Sequence, residues 1–255
     1  MTSEFYSGDS RRDGVGDAPP AEEQVVMSPV KLAVQTLLTI LAMVIGMGAQ
    51  LFLPARTLDY WQAWVFIVLV VGCSNAIGVY LALKDPALLA RRRRAGPTAE
   101  KRPAQRIAQT FFILSVAAVL VLSALDHRFV WSPPVPTLVS LAGDLLVALG
   151  FLLFFLVLRT NSYAASTVEV SEGQQLISTG PYGIVRHPMY TGALLMGAGT
   201  PPALGSWWGL VLIAVVAPAY LIVRIFDEEM LLKSDLPGYT EYIQRVHYRL
   251  VPHVW

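Results

Sequence analysis

The chain has 255 residues, of which 55% are hydrophobic and only 15% are charged. Soluble domains average about 25% charged residues, so this composition argues against a water-soluble globule, and its apolar content excludes a disordered chain. The 19 basic and 18 acidic residues nearly cancel, so no charge excess favours nucleic acid as a partner. The single cysteine, Cys73, excludes an internal disulfide framework.

The N-terminal residues 1–28 are polar and rich in acids. They lack the basic start and apolar core of a signal peptide, so we expect a disordered tail. Four apolar runs follow, and each approaches or exceeds the roughly 20 residues that a membrane-spanning helix needs. We therefore predict a scaffold of four spans over 29–158, formed by the runs 32–53, 63–83, 107–125 and 135–158.

A fifth apolar region, 189–223, is too long for one span and is interrupted at 199–206 by Pro and Gly. Such residues favour a turn, so we predict a helical hairpin of 189–200 and 207–226. The first helix is short for a complete span. The fold class expected is thus all-α: a polytopic membrane helix bundle with four spans, a C-terminal hairpin and an amphipathic cytoplasmic segment.

The loop 84–106 orients this bundle, because its basic residues outnumber its only acids, Asp85 and Glu100. The positive-inside rule makes the loop cytoplasmic, together with the N-terminus, the segment 159–187 and the C-terminus. This predicts a multi-pass protein of a bacterial inner membrane or the endoplasmic reticulum. The arginines in the loop are also explained by topology and contact with anionic lipid alone.

The first polar block with chemical potential surrounds His187. Pro188 suits the first position of a helix, which puts His187 at the N-cap, where free backbone N–H groups can hold an anionic ligand group. Gly192 allows a close approach of another backbone or a ligand. An ordinary interfacial start of a membrane helix, with Arg186 reaching towards water, explains the block equally well.

The second block is the segment 224–229, where Arg224 ends an apolar run and Glu228 follows at i+4 on the same helical face. Ionisable residues at such a depth suggest a functional site. An intrahelical ion pair is the simpler explanation, but Arg before Glu is the less favourable order. Three consecutive acids exceed what one arginine can pair, and they suit a cationic or hydroxyl-rich ligand.

Three further features leave alternatives open. Asp144 lies inside the fourth span, where it is either functional or part of an interhelical hydrogen bond. The segment 237–255 is basic and aromatic, so it either lies on the membrane surface or caps a pocket. The four histidines lack metal-ligand spacing, so we expect no metal site.

The ordered set of motifs in the last third of the chain resembles the isoprenylcysteine carboxyl methyltransferase family. The wider group includes the phospholipid N-methyltransferases. The resemblance covers about 160–255, and it rests on Gly180-Pro181-Tyr182, Arg186-His187-Pro188-x-Tyr190-x-Gly192, Arg224-x-x-x-Glu228-Glu229, Gly238-Tyr239-x-x-Tyr242 and Pro252.

This resemblance implies an integral membrane enzyme whose catalytic region, 159–255, binds S-adenosylmethionine in a cytoplasm-facing pocket. Arg224 would face the substrate carboxylate, and Glu228 would hold a polar group of the cofactor. The family often has a histidine where Gln174 stands, which puts that contact in question. The other cofactor-lining residues implied are Gln174, Gln175, Leu176, Ile177, Tyr182, His187, Pro188, Met189 and Tyr190.

The resemblance further implies a lipophilic carboxylate that enters from the bilayer. A carboxylate with an ordinary pKa is ionised near pH 7, so alignment without a general base is sufficient for methyl transfer. Three alternatives stay open: a methyltransferase for a phospholipid amine, a thiol or another small lipophile; a membrane reductase that uses NADPH; and a small transporter. An amine acceptor would need a base, for which His187 and the acids 227–229 are available.

Overall fold

The computed structural model describes residues 28–93, 96, 98–100, 102–164 and 173–255. The predicted tail therefore lies outside the described residues, except for Ser28. Every regular element in the described ranges is helical, which confirms the all-α fold class. The helices are α1 Pro29–Ala55, α2 Trp61–Lys84, α3 Pro86–Arg93, α4 Pro103–Phe129, α5 Thr137–Thr160, α6 Pro188–Ala203, α7 Trp207–Asp235 and α8 Tyr239–Arg245, with a 3-10 turn at Gly180–Gly183.

Within the described part of the chain, five helices are long and apolar enough to cross a membrane. Three of them, α1, α2 and α4, contain the first three predicted spans, and α5 begins two residues after the predicted start of the fourth. The fifth is α7, the longer arm of the hairpin, whereas α6 has only 16 residues. The structure thus confirms a polytopic helical membrane bundle.

The predicted hairpin exists, but the C-terminal ends of both of its helices were predicted too early. Helix α6 continues through Pro201 and Pro202, and the chain turns at Gly205, which has a φ of 71°. Hydrogen bonds to residues of other elements stabilise the turn. The hydroxyl of Tyr60 donates to the carbonyl of Leu204 at 2.6 Å, and the hydroxyl of Ser206 donates to the carboxylate of Asp126 at 2.6 Å. Helix α7 runs to Asp235, so the charged segment lies within it.

Helix α3 forms where we predicted only a basic loop, and its arginines bind the protein. The guanidinium of Arg91 donates to the carbonyl of Ser162 at 2.5 Å, and that of Arg92 donates to the carbonyl of Ala164 at 3.0 Å. Lipid contact alone is therefore an incomplete interpretation of this run. These bonds connect α3 to the chain that leaves α5.

Helices α5 and α6 touch through glycines spaced seven residues apart on each helix, Gly143 and Gly150 facing Gly199 and Gly192. A Cβ atom built on Gly199 would lie 2.5 Å from the carbonyl oxygen of Gly143. In lipid there is no hydrophobic driving force for helices to associate. Close van der Waals contact between small residues stabilises the helix pair instead. The expected close approach at Gly192 is confirmed, because a Cβ atom added to Gly192 would lie 3.0 Å from the carbonyl oxygen of Gly150.

The acid inside the fourth span, Asp144, is buried, with 8% of its surface exposed. Neither carboxylate oxygen has a hydrogen-bond partner, so an interhelical hydrogen bond does not explain it. The hydroxyl of Ser140, one turn earlier on α5, is also buried without a partner. The structure shows no function for Asp144.

We predict that Gly199→Ala destabilises the protein by about 3 kcal/mol, because its methyl group would overlap the backbone of α5. The matched control is Gly72→Ala in α2, where nothing lies within 4 Å; its gain in helix propensity is up to about 1 kcal/mol. Thermal unfolding in detergent measures both variants. Equal midpoints for the two would contradict the proposed contact between the helices.

Candidate functional site

One open cavity is lined by all of the cofactor-lining and substrate-facing residues that the resemblance implies. It encloses about 890 Å³ of space, including open solvent at its mouth. Its walls come from the segment after α5, the start of α6, the end of α7 and helix α8. The predicted residues among its lining are Gln174, Gln175, Leu176, Ile177, Tyr182, His187, Pro188, Met189, Tyr190, Arg224 and Glu228.

The start of α6 forms one wall of the cavity. His187 is the N-cap residue and Pro188 is the first helical residue, as predicted. The C-terminal segment holds this start in place: the backbone N–H of His187 donates to the carbonyl of Arg249 at 2.9 Å, and the hydroxyl of Thr191 donates to the carbonyl of Leu250 at 2.7 Å. The wall therefore depends on the last residues of the chain.

Helix α8, which belongs to the C-terminal segment, lines the cavity. Tyr239 and Tyr242 are almost fully buried and belong to the wall. The hydroxyl of Tyr242 donates to the carbonyl of Tyr182 at 2.7 Å, whereas the buried hydroxyl of Tyr239 has no partner. Helix α8 thus forms part of the cavity wall.

The three consecutive acids of α7 diverge, and two of them bind arginines of other elements. Asp227 pairs with Arg102 at 2.7 Å. Glu229 pairs with Arg186 at 2.9 Å and with Arg249 at 3.0 Å, and it lies 3.3 Å from Nε2 of His187. The suggestion that all of the extra carboxylates serve a ligand is therefore wrong for these two.

Glu228 is the acid that faces the cavity. It accepts a short hydrogen bond from the hydroxyl of Tyr190, and its Oε1 lies 3.9 Å from Nδ1 of His187. About a quarter of its side chain is exposed, at 25%. A carboxylate in this position offers negative charge to a cationic group of a ligand.

Arg224 is buried beside Glu228, and its partners come from three other places in the chain. Its Nε donates to the hydroxyl of Tyr190 at 3.2 Å, and its Nη1 lies 2.7 Å from the carboxylate of Glu100. It also donates to the side-chain carbonyl of Gln105. Glu100 and Gln105 were not identified as site residues from the sequence. Glu100 was used only in the charge count of the loop 84–106.

Tyr182 lies in the 3-10 turn, where burial raises the pKa of its hydroxyl to about 12. The hydroxyl accepts a hydrogen bond from the amide of Asn161 at 2.9 Å. Burial likewise raises the pKa of Tyr239 and of Tyr242. These phenols are therefore neutral near pH 7, and they supply neutral polar contacts instead of bases.

A second cavity, of about 920 Å³ including its open side, lies between α2, α4, α5, α6 and α7 in the apolar part of the bundle. Its lining is almost entirely apolar, with Ser115, Thr200 and Tyr220 as the exceptions. Leu194 and Tyr220 line this cavity one helical turn from Tyr190 and Arg224, which line the polar one. The two spaces therefore lie one helical turn apart along α6 and α7.

Comparison with known proteins finds similarity in the C-terminal half of the chain. A family model described as phospholipid methyltransferase matches residues 138–235, from α5 to the end of α7. Over 76 residues the chain is 38% identical to Protein-S-isoprenylcysteine O-methyltransferase B of Arabidopsis thaliana. These matches support the family of membrane methyltransferases. The resemblance predicted from the sequence is confirmed at this level.

The chain also matches a Delta(14)-sterol reductase of Mus musculus, with 33% identity over 91 residues, or 35% of this chain. The methyltransferase match covers 29% of this chain. The chain spans 39% of the length of that plant relative and 22% of the length of the mouse relative. The similarity is thus confined to a part of each protein.

We predict that Glu229→Gln lowers the free energy of unfolding by about 3–5 kcal/mol, because it leaves two arginine side chains without their shared carboxylate. The control is Asp235→Asn at the exposed end of α7, for which we expect a change within about 0.5 kcal/mol. Thermal unfolding and limited proteolysis of the C-terminal segment measure the effect. An unchanged midpoint and cleavage pattern in Glu229→Gln would contradict the role of this carboxylate.

Proposed function

We propose that the protein is an S-adenosylmethionine-dependent methyltransferase that methylates the carboxylate of a lipophilic acceptor of the isoprenylcysteine type. The observation that carries the proposal is the position of Arg224, which lines the polar cavity and lies one turn from the apolar cavity. A buried guanidinium suits a carboxylate. The adjoining apolar space suits the tail that makes the acceptor lipophilic.

The polar cavity fits the cofactor in the chemistry of its lining. Glu228 would hold a cationic group of the cofactor. The amides of Gln174 and Gln175 would bind polar edges, while Leu176, Ile177, Met189 and Pro188 would pack against apolar surface. Tyr182, His187 and Tyr190 complete the wall. When bound, this cofactor supplies a methyl group on a positively charged sulfur.

The chain's own contribution to the reaction is alignment. Arg224 would fix the direction of the acceptor carboxylate, and Tyr190 connects it to Glu228 on the cofactor side by hydrogen bonds to both. Holding donor and acceptor in a near-attack geometry supplies much of the rate enhancement in such a displacement. No proton has to move, because a carboxylate is ionised near pH 7.

The orientation of the site follows from the arginines. Arg91, Arg92 and Arg102 contact residues around the polar cavity, at Ser162, Ala164 and Asp227. By the positive-inside rule this end of the bundle is cytoplasmic. The active site then faces the cytoplasm, in a bacterial inner membrane or the endoplasmic reticulum.

We expect purified protein in detergent to bind S-adenosylmethionine, and Glu228→Gln to weaken that binding 10- to 100-fold. The reason is the loss of one charge-assisted contact, which is worth about 1.5–3 kcal/mol. Titration calorimetry measures the affinity. Glu241→Gln, an exposed carboxylate of α8, is the control and leaves the affinity unchanged. Equal affinities of wild type and Glu228→Gln would refute the assignment.

Arg224→Lys tests the acceptor. It keeps the positive charge beside Glu100 but loses the planar guanidinium, which can bind a carboxylate with two N–H groups. We therefore expect the rate of methylation of a lipophilic carboxylate to fall about 100-fold. Affinity for the cofactor changes less than twofold, and Arg245→Lys in α8 is the control. Transfer of a labelled methyl group measures the rates. If Arg224→Lys lowers carboxylate and amine methylation equally, the carboxylate assignment fails.

The match to the sterol reductase favours a second function, reduction with NADPH. A 2′-phosphate needs a basic contact, but Arg186 at the cavity is engaged by Glu229 at 2.9 Å. Titration of the same protein with NADPH separates the two functions. Binding of NADPH without binding of S-adenosylmethionine would replace the methyltransferase proposal.

A further inference from the structure

The guanidinium of Arg224 already holds a carboxylate that belongs to the protein. Oε1 of Glu100 lies 2.7 Å from Nη1 of Arg224, and Glu100 is 3% exposed. Glu100 comes from the connection between α3 and α4, more than a hundred residues from Arg224 in the sequence. Gln105, at the start of α4, accepts from the same nitrogen.

The side chain of Glu100 and the acceptor proposed above carry the same ionised group, a carboxylate. In a buried site two carboxylates beside one guanidinium repel each other strongly, because little water screens their charges. A guanidinium without any carboxylate would be an unpaired buried charge, which is equally unfavourable. Replacing one carboxylate by another keeps the charge balance of the site unchanged.

We propose that Glu100 determines the specificity of the acceptor site: its carboxylate occupies Arg224 until an acceptor carboxylate displaces it. This inference rests on the proposed function. Arg106 lies beside the connection and donates to the backbone carbonyl of Glu100 at 3.4 Å, and its side chain is exposed. It offers the displaced carboxylate a partner closer to water.

Displacement explains how the site would select an anion. An amine or an ester has no negative charge for Arg224, so it cannot compete with Glu100. Methylation forms a carbon–oxygen bond to the acceptor and breaks the carbon–sulfur bond of the donor, which leaves as a neutral thioether. The ester product has therefore lost the charge by which the acceptor displaced Glu100, and the return of Glu100 to Arg224 favours product release.

The test compares binding of N-acetyl-S-farnesylcysteine with binding of its methyl ester, using the full-length chain in detergent. Glu100→Gln removes the competing charge, so the acid should bind about tenfold tighter while the affinity for the ester changes less than twofold. Asp126→Asn is the matched control, because this buried carboxylate accepts from the hydroxyls of Ser132 and Ser206 and not from the groups around Arg224. It should leave the preference for acid over ester unchanged.

A second variant, Glu100→Asp, keeps the charge but shortens the side chain. It should increase the affinity for the acid by a smaller factor than Glu100→Gln does. Thermal unfolding confirms that each variant is folded. Unchanged or weaker binding of the acid by Glu100→Gln and Glu100→Asp would overturn the inference, even where wild type binds acid and cofactor. If wild type binds the cofactor but neither acid nor ester, the proposed acceptor and this inference fail together.

Discussion

Charges at the edge of a membrane are costly unless partners neutralise them, and α7 carries four within the segment 224–229. Three of these charges are matched by groups from distant parts of the chain. Arg224 binds Glu100, Asp227 binds Arg102, and Glu229 binds both Arg186 and Arg249. Each ion pair joins α7 to a residue that is distant in the sequence. The need to neutralise buried charge therefore stabilises the arrangement of the polar end of the bundle.

The same requirement explains why Glu228 differs from its neighbours. Its position between Asp227 and Glu229 on the helix directs it towards α6, where Tyr190 and His187 meet it. Among the described residues, Glu229 forms ion pairs with Arg186 and Arg249, whereas Glu228 faces only His187 at 3.9 Å. A carboxylate on the cavity wall is suited to a cationic ligand, whereas its two neighbours serve the architecture.

Much of the fold could be predicted, because apolar length and turn residues are local signals. The spans, the hairpin and the N-cap at His187 were all visible in this way. The full length of α7 to Asp235 was not predicted, because the predicted helix ended at 226 with the apolar run, and the arginines that pair with Asp227 and Glu229 come from other elements. Glu100 was missed for the same reason: a single acid in a basic loop carries no signal for the guanidinium that it meets.

The arrangement of the two cavities follows from the contact between α5 and α6. Glycines allow these helices to approach at backbone distance, which leaves the wider space of the apolar cavity on the side of α4 and α7. That space lies beside Tyr220, one turn before Arg224 on α7. An occupant of both spaces needs an apolar body and a charged end separated by about one helical turn, or about 5 Å. That length suits an amphiphile whose charged group follows directly on its apolar part.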